Sequence, residues 1–215
     1  MKNRILNRGA LIVIEGPDNA GKTTQCELLA NEFLIKNLPV KIQKFPDRST
    51  EIGKIINSYL SGDLELEDHA IHLLFSANRW EISEKVRKNL EEGTFVIADR
   101  YIYSGIAFSV AKGLDIEWCK APERGLPLPD CVIYLDVDQE KTSQRQNYGT
   151  ERYETNVMQE NVRSIFKDIS EANNNVCCPW YWINASNSIL QVKTEIWNAV
   201  HEIINNNMNK IHEFY

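Results

Sequence analysis

The sequence predicts a doubly wound α/β fold, in which a five-stranded parallel sheet is flanked by helices. Five short β-rich runs alternate along the chain with segments of helical periodicity, which is the order that successive βαβ units impose. Several of these runs are apolar throughout, as expected for parallel strands that are buried on both faces. A glycine-rich loop also separates the first strand from the first helix, at the edge where such sheets bind ligands.

The predicted strands are Ala10–Ile14, Val40–Phe45, Thr94–Ala98, Cys131–Leu135 and Trp180–Ile183. Between them, apolar residues recur at helical spacing over Lys22–Lys36, Asp68–Leu90, Glu154–Asn173 and Ile189–Asn205, which predicts four helices. The second of these is long enough to cross the whole domain. Ser188 and Gln191 form a capping-box pattern at the start of the last helix.

The length and charge of the chain restrict its function. A chain of 215 residues favours one domain, so we expect residues 1–215 to fold together. Its 24 basic and 30 acidic side chains give a formal net charge of −6, which argues against a general nucleic-acid binder. A small anionic ligand held by a few local cations remains compatible with that charge. No run approaches the ~20 apolar residues that span a membrane, so we expect no membrane partner.

The cysteines and the N-terminus indicate a reducing compartment. The five cysteines form an odd set without the spacing of a metal site. The charged N-terminal residues have no long apolar stretch behind them, which is unlike a secretory signal. We therefore expect free thiols and a cytoplasmic location, with the nucleus as the alternative.

A phosphate-binding motif follows the first strand. Gly16–Thr23 fits G-x-x-x-x-G-K-[ST], in which glycines let the backbone curl around phosphate oxygens. The loop amides and the helix N-terminus offer partial positive charge. Lys22 is then expected to reach the β- and γ-phosphates, and the Thr23 hydroxyl to ligate Mg²⁺. The motif assigns the sheet to the P-loop NTPase fold.

The third predicted strand ends beside an acidic residue that fits the same chemistry. Asp99 stands where a Walker-B-like carboxylate reaches Mg²⁺ or its water. Arg100 follows at the carboxyl end of the strand, where ligands bind in open α/β sheets. The alternative is that Asp99 and Arg100 form only a structural ion pair.

Several arginines point to a second phosphate beside the first. A GTPase would need an Asn-Lys-x-Asp guanine signature, which the sequence lacks. Arginines instead fall near predicted strand ends, on a helix and in one hydrophilic segment: Arg48, Arg79, Arg100, Arg145 and Arg152. Arginine suits phosphate through bidentate contacts and a charge that survives partial burial.

At this point the sequence resembles a known family. The matching stretches are Arg8–Gly16, Phe45–Gly53, His72–Glu81, Asp99–Phe108, Gly125–Asp130 and Glu151–Glu154, in that order along the chain. Together they resemble the eukaryotic and poxviral branch of the thymidylate kinases. The resemblance implies the reaction of ATP with dTMP to give ADP and dTDP, with Mg²⁺ as cofactor, and a homodimer packed through helices.

The resemblance also implies roles for individual residues. Phe75 would stack on thymine, Arg79 would bind its edge, and Arg48 and Arg100 would hold the dTMP phosphate. Asp18 would accept from the sugar 3′-hydroxyl, and Tyr153 would crowd a ribose 2′-hydroxyl. The remaining dTMP-site positions are Phe45, Gly105, Phe108 and Gln159, and the ATP-site positions are Gly16, Asn19, Ala20, Gly21, Lys22, Thr23, Thr24 and Arg145.

Two of these roles have simpler alternatives. Asp18 lies inside an anion-binding loop, and it can serve there as a hydrogen-bond acceptor that braces the loop. Phe75 also falls on the apolar stripe of its predicted helix, so it can be an ordinary core residue. The stripe between Ile71 and Leu90 itself fits either the core or a dimer interface.

The implied chemistry requires positioning and charge neutralisation. The dTMP phosphate is already anionic, so in-line transfer requires no protein nucleophile. The expected catalytic set is Lys22, Arg100, Asp99, Arg145 and Asp18, with Thr23 and Asp99 as the metal-site residues. We expect the polar segment from Gln144 to Glu154 to form a small lid over ATP that excludes water.

The sequence departs from the family branch at one position, and this difference leads to a hypothesis. Where the branch usually has a basic residue after Asp18, this chain has Asn19, which cannot cancel phosphate charge. Arg145 is the expected replacement, with Arg152 as the second choice. Two rival functions stay open: a kinase of similar architecture that phosphorylates deoxynucleosides, and a nucleotide-dependent regulator without catalytic activity.

Overall fold

Parallel strands form the central sheet of the computed structural model, which describes residues 8–137, 151–173, 178–205 and 211–215. In chain order they are β1 Leu11–Glu15, β2 Val40–Lys44, β3 Phe95–Asp99, β4 Cys131–Asp136 and β5 Trp180–Asn184. The spatial order is β2-β3-β1-β4-β5, and every neighbouring pair is parallel. The five predicted strands and the doubly wound class are confirmed. Each strand ends within one residue of its predicted end, so Glu15 and Asp99 belong to strands.

Seven helices surround the sheet within the described ranges. They are α1 Lys22–Ile35, α2 Glu51–Leu60, α3 Asp68–Glu91, α4 Ile102–Val110, α5 Ile116–Lys120, α6 Asn156–Asn173 and α7 Ile189–Asn205. The four predicted helices correspond to α1, α3, α6 and α7, and α3 is about 36 Å long at 1.5 Å per residue. Sequence analysis missed α2, α4 and α5. A 3₁₀ turn, Ala121–Glu123, follows α5.

The core lies in two layers because side chains of one strand point alternately to the two faces of the sheet. One layer packs Ile12 and Ile14 of β1 against α1 and α7. The other packs Leu11 and Val13 of the same strand against α3, α4 and α6. Strands β1 and β3 are buried at every position, whereas the edge strand β2 is largely exposed.

Local sequence explains where the helices begin. The Ser188 and Gln191 side chains exchange the predicted capping contacts: Gln191 N donates to Ser188 Oγ at 3.4 Å, and Ser188 N donates to Gln191 Oε1 at 3.1 Å. Thr50 Oγ1 caps α2 by accepting from Gly53 N at 3.0 Å. In α4, seven of the nine residues are buried, so the helix has no polar face that a periodicity search would detect.

The C-terminal residues return to the segment that precedes β4. Phe214 is buried against Tyr103, and its backbone exchanges hydrogen bonds with Leu126 and Gly125 at 2.9 Å each. Among the described residues, the search for a helix long and apolar enough to cross a bilayer finds none.

One ion pair joins the start of β1 to the start of β4, and it carries a stability prediction. Arg8 donates to both carboxylate oxygens of Asp130, at 2.8 and 2.5 Å, and Leu11 N donates to the same carboxylate at 2.8 Å. We expect Asp130→Ala to lower the free energy of unfolding by about 3–5 kcal/mol, because a buried guanidinium and an amide lose their acceptor. Urea denaturation measures the change.

Asp130→Asn shows how much of this effect is due to the negative charge and how much to the hydrogen-bond acceptor. Its amide oxygen still accepts from Leu11 N, so the expected loss is smaller than that of Asp130→Ala. Glu117→Ala, on an exposed ion pair with Lys120, is the control and should change stability by about 1 kcal/mol or less. A loss for Asp130→Ala no larger than that of the control contradicts the prediction.

Candidate active site

A cleft of about 480 Å³ opens at the carboxyl ends of β1, β2 and β3. It brings together most of the predicted site residues, namely Asp18, Asn19, Gly21, Lys22, Thr23, Thr24, Phe45, Arg48, Phe75, Arg79, Asp99, Arg100, Gly105, Phe108 and Tyr153. Gly16, Ala20 and Gln159 belong to the surrounding structure without lining the cleft. Arg145 and most of the predicted lid lie outside the described residues.

The phosphate-binding loop is folded as the motif predicts, between β1 and α1. Gly16 has φ of 143°, and a Cβ there would lie 2.7 Å from Leu135 O, so only glycine fits. Lys22 is buried, and its Nζ donates to Pro17 O at 2.6 Å. Burial, with Arg100 nearby, lowers the pKa of Lys22 to about 8, against the opposing effect of Asp18, Asp99 and Glu15. A phosphate oxygen beside this amine would favour its charged form.

The two predicted metal-site residues are in contact. Thr23 Oγ1 donates to Asp99 Oδ2 at 2.7 Å at the bottom of the cleft. A hydroxyl and a carboxylate are hard oxygen ligands, which fit Mg²⁺. Within the described residues no group of three or more acidic, histidine or cysteine side chains could hold a metal alone. This donor set therefore fits an ion that substrate phosphates and water help to bind.

Arg100 is bonded to the phosphate-binding loop and not to its neighbour in sequence. Its guanidinium donates to Asp18 Oδ1 at 2.5 Å and to Gly16 O at 3.1 Å. The alternative of an Asp99–Arg100 ion pair is thus replaced by an Arg100–Asp18 pair. The backbone of Arg100 has φ of 65°, an unfavourable left-handed conformation for this residue, which costs about 1–3 kcal/mol. Such strain is common at functional sites.

Asp18 braces the loop in the way the simpler alternative describes. Gln159 Nε2 donates to Asp18 Oδ2 at 3.0 Å, and Arg100 binds the other oxygen. Burial opposes ionisation of Asp18, but the charges of Arg100 and Lys22 outweigh it and hold its pKa below the ordinary value. The carboxylate is therefore an acceptor at neutral pH and a poor general base.

Beneath Arg100 lies a buried carboxylate that sequence analysis did not select. Glu15 accepts from Tyr101 N at 3.0 Å, from Ser104 N at 3.1 Å and from Ser104 Oγ at 2.5 Å. Burial raises the pKa of Glu15, while Arg100 and these donors oppose the shift. Its position as a charged residue that ends an apolar strand is the sequence signal that could have identified it.

Arg48 lies at the outer rim of the cleft, on a loop held from below. Its guanidinium donates to Asn57 Oδ1 at 2.8 Å and pairs with Glu151 at 2.8 Å. The loop is fixed by Asn78, which is buried and accepts from Asp47 N at 2.7 Å. Gly53 packs against the same loop so closely that a Cβ on this residue would lie 1.8 Å from Asp47 O. Neither Asn78 nor Gly53 was predicted as a site residue.

The side of the cleft assigned to thymine contains a buried ion pair. Arg79 Nε donates to Glu123 Oε2 at 2.8 Å, and Nη2 donates to Oε1. Gly105 lies directly against this guanidinium, since a Cβ there would be 2.5 Å from Arg79 Nη2. Phe75 is half-buried and lines the cleft, so it is available to a ligand as well as to the core. Glu123 lies 44 residues from Arg79 in sequence, and sequence analysis did not select it.

Aromatic rings form the wall assigned to the sugar. The rings of Phe108 and Tyr153 lie 5.1 Å apart at 31°, and the Arg100 guanidinium lies 5.6 Å from the Phe108 ring. Tyr153 OH donates to Tyr59 OH at 3.4 Å, and Gln159 Nε2 donates to Tyr153 O at 2.9 Å. This wall is thereby tied to Asp18 through Gln159.

Two further basic residues differ from expectation. Lys44, at the end of β2, lines the cleft, although sequence analysis did not select it. Arg152, the second choice for a lid cation, is bound elsewhere: it donates to Tyr59 O at 3.0 Å and to Glu65 Oε1 at 2.6 Å. Its guanidinium also lies 4.3 Å from the Tyr59 ring. These contacts fix Arg152 to the connection between α2 and α3, outside the cleft.

Comparisons with known proteins agree with this geometry. The family model described as thymidylate kinase matches residues 14–196. A thymidylate kinase of Arabidopsis thaliana is 48% identical over 90% of this chain and 71% of its own length. That of Schizosaccharomyces pombe is 47% identical, over 92% of this chain and 94% of its own length. The human thymidylate kinase is 41% identical over 88% of each chain.

A solved structure is similar over nearly its full length. The thymidylate kinase of Candida albicans superimposes with a TM-score of 0.86 and 40% identity, covering 97% of this chain and 99% of that one. Identity of this level over most of the chain, together with the family match, is sufficient to assign the family. The chain belongs to the thymidylate kinase family.

Proposed function

We propose that this protein phosphorylates dTMP with ATP, giving ADP and dTDP for the supply of DNA precursors. One observation carries the proposal: a single cleft is lined by the phosphate-binding loop and by three arginines, Arg48, Arg79 and Arg100. The loop suits the phosphates of ATP, and the arginines suit a second nucleotide with its own phosphate. Membership in the thymidylate kinase family supports the identity of that nucleotide.

In this proposal the reaction is a direct in-line transfer. An oxygen of the dTMP phosphate attacks the γ-phosphorus of ATP, and the bond from that phosphorus to the β,γ-bridging oxygen breaks. Lys22 and Arg100 neutralise charge on the transferred group, and Arg48 orients the acceptor phosphate. Asp18 acts on the sugar 3′-hydroxyl as an acceptor, a role that agrees with its lowered pKa.

Mg²⁺ is part of the proposal. Thr23 and Asp99 are the residues that would hold it, Asp99 directly or through a water molecule. When bound, the ion supplies further neutralisation of charge on the phosphates of ATP. The remaining residues of the ATP site are the loop positions Gly16, Asn19, Ala20, Gly21 and Thr24.

A substrate panel tests the proposed function. With ATP and Mg²⁺ we expect ADP formation with dTMP to exceed that with thymidine, measured in a coupled assay that also includes dUMP and dCMP. The physical reason is that thymidine lacks the 5′-phosphate that Arg48 and Arg100 would bind. Activity with thymidine but not dTMP would establish the rival nucleoside kinase. No ADP formation with any acceptor would contradict the proposed function and favour the regulator.

The lid cation is a second part of the proposal, and Arg145 remains its expected source. Arg152 is engaged with Tyr59 and Glu65, which favours Arg145 of the two. We expect Arg145→Ala to lower kcat about 10³-fold, because this charge would act on the transferred phosphoryl group. The KM for dTMP should stay nearly unchanged. Steady-state kinetics measures both constants.

Two variants complete this test. Arg152→Ala is the matched control in the same segment, and it should leave kcat within about threefold of wild type. Asn19→Arg restores the basic residue usual in the family branch, and it should leave activity equal or higher. An unaltered kcat for Arg145→Ala would contradict the assignment.

The homodimer also remains a proposal, and the structure changes where its interface would lie. Ile71, Ile82, Val86 and Leu90 of α3 are buried within the chain, so the predicted apolar stripe belongs to the core. The opposite face of α3 exposes Leu73 and Trp80, at 46% and 41%. We expect light scattering to detect a particle of two chains, and Leu73→Glu to weaken it. A monomeric wild type would contradict this proposal.

A cytoplasmic location is proposed on the state of the thiols. Cys26, Cys119, Cys131 and Cys178 are free and buried in the described part of the chain. Free thiols persist in reducing compartments. Fractionation of cells that produce the protein tests this location, and recovery with secreted proteins would refute it.

A further inference from the structure

The pair between Arg79 and Glu123 has a geometry that fixes the direction of the arginine. The Nε and Nη2 atoms both donate to the carboxylate, so two of the five N–H groups of the guanidinium are engaged. The side chains are 3% and 0% exposed. A bidentate pair of this kind restricts the guanidinium to one plane.

Contacts on three sides prevent the pair from turning. Ser76 Oγ and Trp80 Nε1, both on α3, donate to Pro122 O at 3.1 and 2.8 Å, and they fix the turn that carries Glu123. On the other side the backbone of Gly105 lies so near that a Cβ would be 3.0 Å from Arg79 Nη1. Beyond Glu123, Gly125 N donates to Phe214 O at 2.9 Å.

The donors that remain on Arg79 are available to a ligand, since Arg79 lines the cleft and no further acceptor for them is found among the described residues. A guanidinium can donate hydrogen bonds but has no acceptor. Thymine presents the O4 acceptor at the position where cytosine presents the N4 amino donor. A guanidinium held in place would therefore pair with thymine and face an unmatched donor in cytosine.

We propose that Glu123 is a positioning residue that determines base specificity, because it holds Arg79 with only N–H donors toward the base. The inference rests on the proposed function and assigns to Glu123 a role in it. Glu123 also neutralises Arg79, so an uncharged base is not bound beside an unpaired cation. A buried ion pair is weak evidence for stability, since apolar residues of similar volume often replace one without loss. The presence of the buried Arg79–Glu123 pair is therefore explained by positioning of the guanidinium and not by a gain in stability.

The first test is Glu123→Gln. The amide keeps one acceptor oxygen and places a donor against the guanidinium, so Arg79 loses its fixed direction. We expect kcat/KM for dTMP to fall roughly 100-fold, mainly through KM. The KM for ATP should stay within about twofold. The ratio of kcat/KM for dTMP to that for dCMP should narrow by about tenfold or more.

Two companion variants show whether the negative charge of Glu123 is responsible for the loss of activity with dTMP. Glu123→Asp retains the carboxylate and should recover part of the loss. Glu117→Gln changes an exposed carboxylate on the adjacent helix and should leave all constants unchanged. A dTMP to dCMP ratio that stays at the wild-type value in Glu123→Gln would overturn the proposal, even where overall activity falls.

A double variant keeps the proposal testable where Glu123→Gln alone fails to fold. Arg79→Gln combined with Glu123→Gln leaves no unpaired buried charge. If Glu123 acts through Arg79, the double variant should have the same kcat/KM for dTMP as Arg79→Gln alone. A double variant whose kcat/KM for dTMP falls clearly below that of Arg79→Gln alone would overturn the proposal.

The wild-type measurements separate this inference from the proposed function. If the wild type does not phosphorylate dTMP, the proposed function fails. If the wild type prefers dTMP and Glu123→Gln matches it in every constant, the proposed function stands and only the role of Glu123 is refuted.

Discussion

The partly buried charge of Arg100 is the constraint on which the arrangement of the cleft depends. A guanidinium at the end of a buried strand is unfavourable unless carboxylates and carbonyls surround it. Glu15 lies beneath it, Asp18 binds its outer edge, and Gly16 O accepts from it. These partners come from the end of β1 and from the loop that follows. The charge of the residue that follows β3 therefore holds the phosphate-binding loop against the neighbouring strand, and the left-handed backbone of Arg100 is the cost of that position.

The other arginines of the cleft follow the same rule, which refines what the net charge of −6 implies. Arg79 is paired with Glu123, and Arg48 with Glu151, so these arginines do not present unpaired positive charge to the cleft. To bind a phosphate, each of these arginines must instead exchange its carboxylate partner for the phosphate. Exchange is easy for Arg48, because an exposed pair contributes about 0–1 kcal/mol. It is unfavourable for Arg79, whose pair is buried. The cleft thus combines a cation free to exchange partners at its rim with one fixed in its interior.

Sequence was sufficient for the features that depend on local pattern. The strands, the long helices and the phosphate-binding loop each have a periodicity or a fixed spacing, and Lys22, Thr23 and Asp99 lie where those patterns place them. Helix α4 could not be found in this way, because burial on nearly every side removes the amphipathic pattern. Glu123 could not be found either. Its role depends on Arg79, 44 residues away, and the intervening α4 brings Gly105 against their contact.

Backbone geometry gives a physical account of the departure at position 19. Asn19 has φ of 59°, a left-handed conformation that asparagine adopts more readily than other non-glycine residues. A basic residue at the same φ would add a charge at the phosphates but would carry about 1–2 kcal/mol of strain. This chain has the residue that favours the loop conformation, and under the proposed function the missing charge would come from another segment. The loop and the lid would then not be independent, because the relaxed backbone at Asn19 would leave a requirement for positive charge that Arg145 is proposed to meet.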